Sequence, residues 1–284
     1  MFMARHALRH STLERRYDFH LGEAIRAALQ GSHDKAAGHS GRALLISREL
    51  YADAADPARH QPELAAALCT HARYGGDTWQ AIALLTESAG HYAVLAEADP
   101  ALYEVPRIDV LTRIALAADA AGSPADAVTL LREVIGMYLK APAADTGERD
   151  LGLARARFNL GRCLIQAGEE SEGLAETEAG LELADGALGR LQVAAPGRGW
   201  LVAAPRYLQL AAPDWAAAAV RAMTLHATAG HWPQAATAAG TAEMVAAGLA
   251  DLGGETLRDA HTAISARAAA ILLKAKHPER SAAE

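Results

Sequence analysis

Two cysteines, Cys69 and Cys163, are all that this chain carries in 284 residues, and they form no CxxC pair. A disulfide framework is thereby excluded, and the thiols fit a reducing compartment. Both lie in predicted helices, where such cysteines act as small hydrophobes. Aromatic residues make up only 5%. No window shows the Val, Ile and Thr alternation expected of strands. Nowhere do 18 apolar residues run together, and the opening MFMARHALRHSTLERR lacks the apolar core of a signal peptide. A cytoplasmic location is the expectation. Lysine is scarce as well, at four against 23 arginines; with the abundant alanine this points to a GC-rich bacterial genome rather than a physical need.

Motifs for chemistry are missing too. The sequence contains no GxSxG, no HExxH, no GxGxxG and no GxxxxGK phosphate loop. Among the twelve histidines, His6 and His10 stand one helical turn apart, as do Glu87 and His91, while His226 and His231 miss that spacing. None of these makes a metal-ligand cluster. No catalytic, metal or cofactor residue is therefore assigned. The net charge of −7 argues against nucleic acid and anionic membrane, both of which need clustered positive charge. From 61 to 185 the balance is more acidic, 9 basic against 20 acidic residues. That middle either steers a basic partner or is a set of solvated helix faces.

What the chain has in quantity is helix former. Half of it is apolar and 21% charged, which suits a folded all-α protein. A repeat emerges from the glycines. Gly76, Gly122 and Gly168 fall 46 residues apart, with Gly38 and Gly230 in the same role at irregular spacing. Five residues beyond each comes a very small residue: Ala43, Ala81, Ala127, Gly173 and Ala235. A glycine past a helix end lets the chain reverse, and a small residue on the next first turn lets two helices cross closely. Asp56-Pro57 and Asp99-Pro100 then break the second helix of a pair, and Pro62 and Pro106 fall near the first turn of the next. The predicted helices are Pro62–Tyr74 with Thr78–Ala98, Arg107–Ala121 with Ala125–Lys140, and Glu148–Ala167 with Ser171–Leu188. Residues 187–213, rich in proline and glycine, read as an insertion, either a seam or a functional loop. A last helix over Gly254–Ala275 reads as a cap.

The segment Arg157 to Asp185, RFNLGRCLIQAGEESEGLAETEAGLELAD, resembles a tetratricopeptide repeat. Leu160-Gly161 match its Leu-Gly pair, Gly168 its turn, and Leu181-Glu182-Leu183 the end of its second helix. The stretches from Asp56-Pro57 to Pro62 and from Asp99-Pro100 to Pro106, between one helix pair and the next, resemble the long-helix variants common in actinobacterial proteins. Arg157, Leu164 and Thr177 stand where the family usually has Trp, Tyr and Phe, Asp185 stands at its closing proline, and the period exceeds the family's. The resemblance implies a right-handed α-solenoid of about five antiparallel helix pairs over residues 1–250, with the capping helix and tail at 251–284.

It also implies a concave groove lined by the first helix of each pair. The family's inward slots fall on Arg73, Tyr74, Thr112, Arg113, Arg155, Phe158, Asn159, Arg162, Gln166, Val220, Arg221 and Thr224. Recurring arginine suits carboxylates, from a peptide C-terminus or acidic side chains. Glu63, Asp109 and Asp119 on the same surface are the competing partners. Trp200, Trp215, Trp232 and Tyr207 in the C-terminal third are either core fillers or a homo-oligomer face. The first functional expectation is a non-enzymatic scaffold binding a protein or peptide in its groove. The alternatives are a ligand-sensing module acting on a separate effector, and an enzyme on a helical scaffold.

Overall fold

The computed structural model describes residues 2–53, 57–75, 77–142, 146–190, 201, 206–252 and 255–276. Among the described residues there are eleven α-helices, one 3-10 turn (Pro57–His60) and no strand. The chain divides into two compact units, residues 1–126 with 141–144, and residues 127–140 with 145–284.

In the first unit, α1 (Phe2–Leu29), α2 (His33–Asp53), α3 (Gln61–Tyr74), α4 (Thr78–Ala98) and α5 (Pro100–Ala120) follow in order. Each packs on the next along the chain. Leu13 and Tyr17, Leu64 and Leu68 are pairs one helical turn apart, and they meet Leu44, Leu50 and Leu84 in one buried cluster. That spacing makes the apolar stripe of a helix that buries one face.

The second unit takes α6 (Pro124–Lys140) after its first three residues, then α7 (Thr146–Gln166), α8 (Glu170–Arg190), α9 (Arg206–Thr228), α10 (Trp232–Asp251) and α11 (Glu255–Lys276). Here α7 pairs with α8 and α9 with α10, α9 also lies against α7 and α8, and α11 covers α10. Phe158, Leu201, Trp215 and Leu249 share one core cluster. Met223, Ala235, Ala239 and Ile271 share another. The fold is all-α and built from consecutive helical neighbours, as the sequence predicts.

The turns follow from glycine. Gly31, Gly122, Gly168 and Gly230 have φ of 73°, 90°, 88° and 75°. After each, the next N–H reaches back five residues: Ser32 to the Ala27 carbonyl, Ser123 to Ala118, Glu169 to Leu164 and His231 to His226, at 2.8–3.0 Å. These bonds satisfy carbonyls that a helix end leaves open. Five residues past the glycines stand Ala36, Ala127, Gly173 and Ala235, all buried. Replacing Gly168 by alanine should cost about 1–2 kcal/mol in urea unfolding, because a Cβ is strained at positive φ.

Gly38 departs from expectation. It lies inside α2, and the turn before that helix is made by Gly31. A Cβ on Gly38 would meet nothing within 4 Å, so Gly38→Ala should raise stability by about 0.5–1 kcal/mol, a gain readable in the same urea experiment. The residues Gly76 and Asp56 lie outside the described residues. Ser32 stands in the turn, and His33 opens the helix.

The prolines split in the same way. Pro62 does sit in the first turn of α3. Asp99 ends α4 and caps α5, its carboxylate accepting the Leu102 N–H at 3.2 Å, and Pro100 follows inside the new helix. Pro106 is then not near a helix start but within α5. The Asp99 cap starts that helix earlier than the second proline suggests, and the helix tolerates one missing N–H. The insertion is also shorter than its composition implies. α8 continues to Arg190, and α9 starts at Arg206 with Pro213 inside it; residues 191–200 and 202–205 lie outside the described residues.

Candidate functional site

Within the second unit, α7 and α9 bring two of the expected groove arginines, Arg155 and Arg221, beside the Asp214 carboxylate, with a third, Arg162, near Arg221. Arg155 on α7 donates through Nε to Asp214 Oδ2 on α9 at 3.1 Å, and its side chain is only 12% exposed. Arg221, on the same helix as Asp214, donates through Nη2 to the Phe158 carbonyl at 3.2 Å. Burial depresses the Arg221 guanidinium below its ordinary range; nearby Arg162 pushes in the same direction and Asp214 opposes it. Its Nε is buried with no hydrogen-bond partner. Arg162 donates to Gln166 Oε1 at 2.9 Å, one turn along α7. The cluster is rich in forked donors that suit a carboxylate.

The other expected residues divide by where the helix turns them. Phe158 and Thr112 are 1% and 2% exposed, so they are interior residues and line no accessible surface. Their helices place them on the packed face, a distinction that slot matching alone does not make. Thr112, Asn159 and Thr224 each spend a polar atom on the carbonyl four residues back in their own helix. In the first unit Arg113 pairs with Asp109 at 2.9 Å, the internal pairing that the sequence leaves open for these arginines. Arg73 lies over the Tyr74 ring, 5.6 Å from its centroid, an ordinary surface stacking.

The departures from the repeat pattern find physical roles. Arg157, in the usual Trp slot, joins α7 to α8 through Glu176 at 2.6 Å. Thr177, in the Phe slot, is fully buried against Gly161 and bonds the Gly173 carbonyl. Trp215 is core, 1% exposed, while Trp232 is half-buried. Trp200 and the Tyr207 side chain lie outside the described residues. The most exposed large apolar side chain among the described residues is Trp79 at 73%, a residue the C-terminal aromatic count passes over. Cys163 is fully buried and Cys69 partly so. Among the described residues no group of three or more His, Cys, Asp or Glu could hold a metal ion, and no helix is long and apolar enough to cross a membrane.

No protein-family model matches this sequence, and no curated protein matches it. Among solved structures it is similar to the apo form of RapI, at 14% sequence identity over 96% of this chain and 92% of that one, with a TM-score of 0.44. A likeness that distant carries nothing about activity or partner.

Proposed function

We propose that the chain is a non-catalytic recognition module that binds a protein segment bearing carboxylates at the α7–α9 face of its second unit. The observation that carries this reading is the run of three arginines across α7 and α9, with Arg155 paired to Asp214 and Arg221 close enough to feel both Asp214 and Arg162. Like charges held together are relieved by an incoming anion, and desolvated guanidinium–carboxylate pairs are the strong ones. The helical-hairpin framework suits the task, because paired helices present rigid side-chain arrays.

Arg162 is the residue to change, since it is partly exposed and its bond to Gln166 lies along its own helix. Capture from lysate with the intact chain should retain a specific protein. With Arg162→Glu the retained amount should fall at least tenfold, while circular dichroism and melting stay unchanged. An unchanged set of captured proteins, with the variant still folded, would overturn the reading. A metabolite that raises the melting temperature where no protein is captured would favour the sensing module instead.

A further inference from the structure

A second feature of the same unit uses none of those arginines. Between α8, α9 and α10 lies an open recess of about 290 Å³. Its construction is regular. α8 supplies Glu178, Leu181, Glu182 and Asp185, one face at intervals of three and four; α9 supplies Ala222 and His226; α10 answers with its own face, including Thr237 and Thr241. Three carboxylates thus share the lining with methyl-bearing side chains and hydroxyls, and among the described residues no lysine or arginine lines it.

Two of the carboxylates are unspent. Glu178 is engaged by His226, whose Nε2 lies 2.8 Å from Glu178 Oε1. Glu182 and Asp185 have no hydrogen-bond or ion-pair partner among the described residues. Although Asp185 keeps much of its surface in water, neighbours crowd its carboxyl and raise it above the usual carboxylate range. A cation beside it would reverse that penalty.

His226 provides the independent sign. It is 5% exposed. An ionised carboxylate only accepts, so Nε2 of this imidazole carries a proton toward Glu178. Its Nδ1 is buried and has no hydrogen-bond partner among the described residues. A buried polar atom without a partner is costly, and this one belongs to a residue in the wall of the recess.

We propose that this recess binds a basic side chain, a lysine ammonium or arginine guanidinium, presented by a protein partner. Glu182 and Asp185 take the charge, Thr237 and Thr241 accept further N–H groups, and Leu181 and Ala222 cover the aliphatic stem. The volume fits one long side chain and is small for a cofactor. A divalent metal would need convergent ligands that the described residues do not supply. An acidic wall on this unit also gives a role to the acidic stretch that ends at Asp185.

The test uses the full chain and pentapeptides with blocked ends and a central lysine among glycines, followed by NMR shifts of the Thr237 and Thr241 amides. The lysine peptide should bind saturably, and its Nε-acetyl form at least tenfold more weakly. Glu182→Gln with Asp185→Asn should lose at least tenfold for the lysine peptide; both residues are exposed, so the fold is not at risk, and a matched melting curve confirms it. Equal binding of the acetylated peptide, or undiminished binding by the double variant, would overturn the proposal. So would 1,5-diaminopentane binding as tightly as the peptide, which would make the recess a free-amine site. Arg162→Glu leaves this lining untouched, so loss of lysate capture in that variant with peptide binding retained separates this inference from the function proposed above.

Discussion

Gly161→Val is expected to destabilise the second unit by about 3 kcal/mol or more, the upper range for forcing volume into a packed site. At about 2–4 °C per kcal/mol for a unit of this size, the melting temperature should fall by roughly 10 °C. The reason is the crossing of α7 and α8. A Cβ at Gly161 would stand 2.5 Å from the Gly173 carbonyl oxygen and press on Thr177 Oγ1. A Cβ at Gly173 would in turn stand 2.7 Å from the Gly161 carbonyl oxygen, and one at Gly180 would stand 2.6 Å from the Phe158 ring. At Gly161 and Gly173 backbone faces backbone, so rotating a side chain cannot relieve that contact. The contrast with Gly38→Ala is the control, since the same type of change in open space should stabilise. Loss of less than about 1 kcal/mol at Gly161, in calorimetry of the full chain, would mean that the two helices separate readily and the crossing is not tight.

Asp214→Asn should push stability and binding in opposite directions. Removing the carboxylate takes the Asp214 charge away from Arg155, which is 12% exposed. Breaking a fully buried pair costs about 3–5 kcal/mol; Asp214 is 37% exposed, which reduces the expected loss to about 2 kcal/mol. The guanidiniums of α7 and α9 then face the partner without Asp214 competing for them. Affinity for the protein captured through Arg162 should rise about tenfold, or about 1.4 kcal/mol. Urea unfolding and titration of the captured partner read the two effects separately. A variant that loses stability and affinity together would show Asp214 to be part of the binding surface rather than its competitor, and the carboxylate-binding assignment would fall.

Much of the architecture was legible in the sequence because it rests on local rules. Gly122, Gly168 and Gly230 mark real reversals, and Leu160-Gly161 mark a real close crossing, because no other residue type satisfies those backbone demands. The same reasoning fails at Gly38, where glycine answers no such demand. Helix boundaries in the middle of the chain fall within a few residues of expectation, apart from α5, where a capping aspartate outweighs a second proline. The site is less legible. Thr112 and Phe158 share the sequence spacing of groove residues, yet packing turns them inward. The recess is not legible along first helices, since all its carboxylates and hydroxyls come from the second helices α8 and α10, and α9 adds only Ala222 and His226. Its trace in the sequence is the run Glu178, Glu182 and Asp185, four and three residues apart, which reads as a solvated face until a neighbouring helix closes it.

The fixed distance of five between each turn glycine and its buried small residue also governs how such a chain can change in length. Inserting one residue between Gly168 and Gly173 would rotate the whole of α8 by about 100° about its axis. Gly173, Thr177 and Gly180 would swing off α7 together, and bulkier side chains would be driven into the crossing. Additions to this protein are therefore tolerated between hairpins, and within a hairpin only where they restore the phase of the second helix.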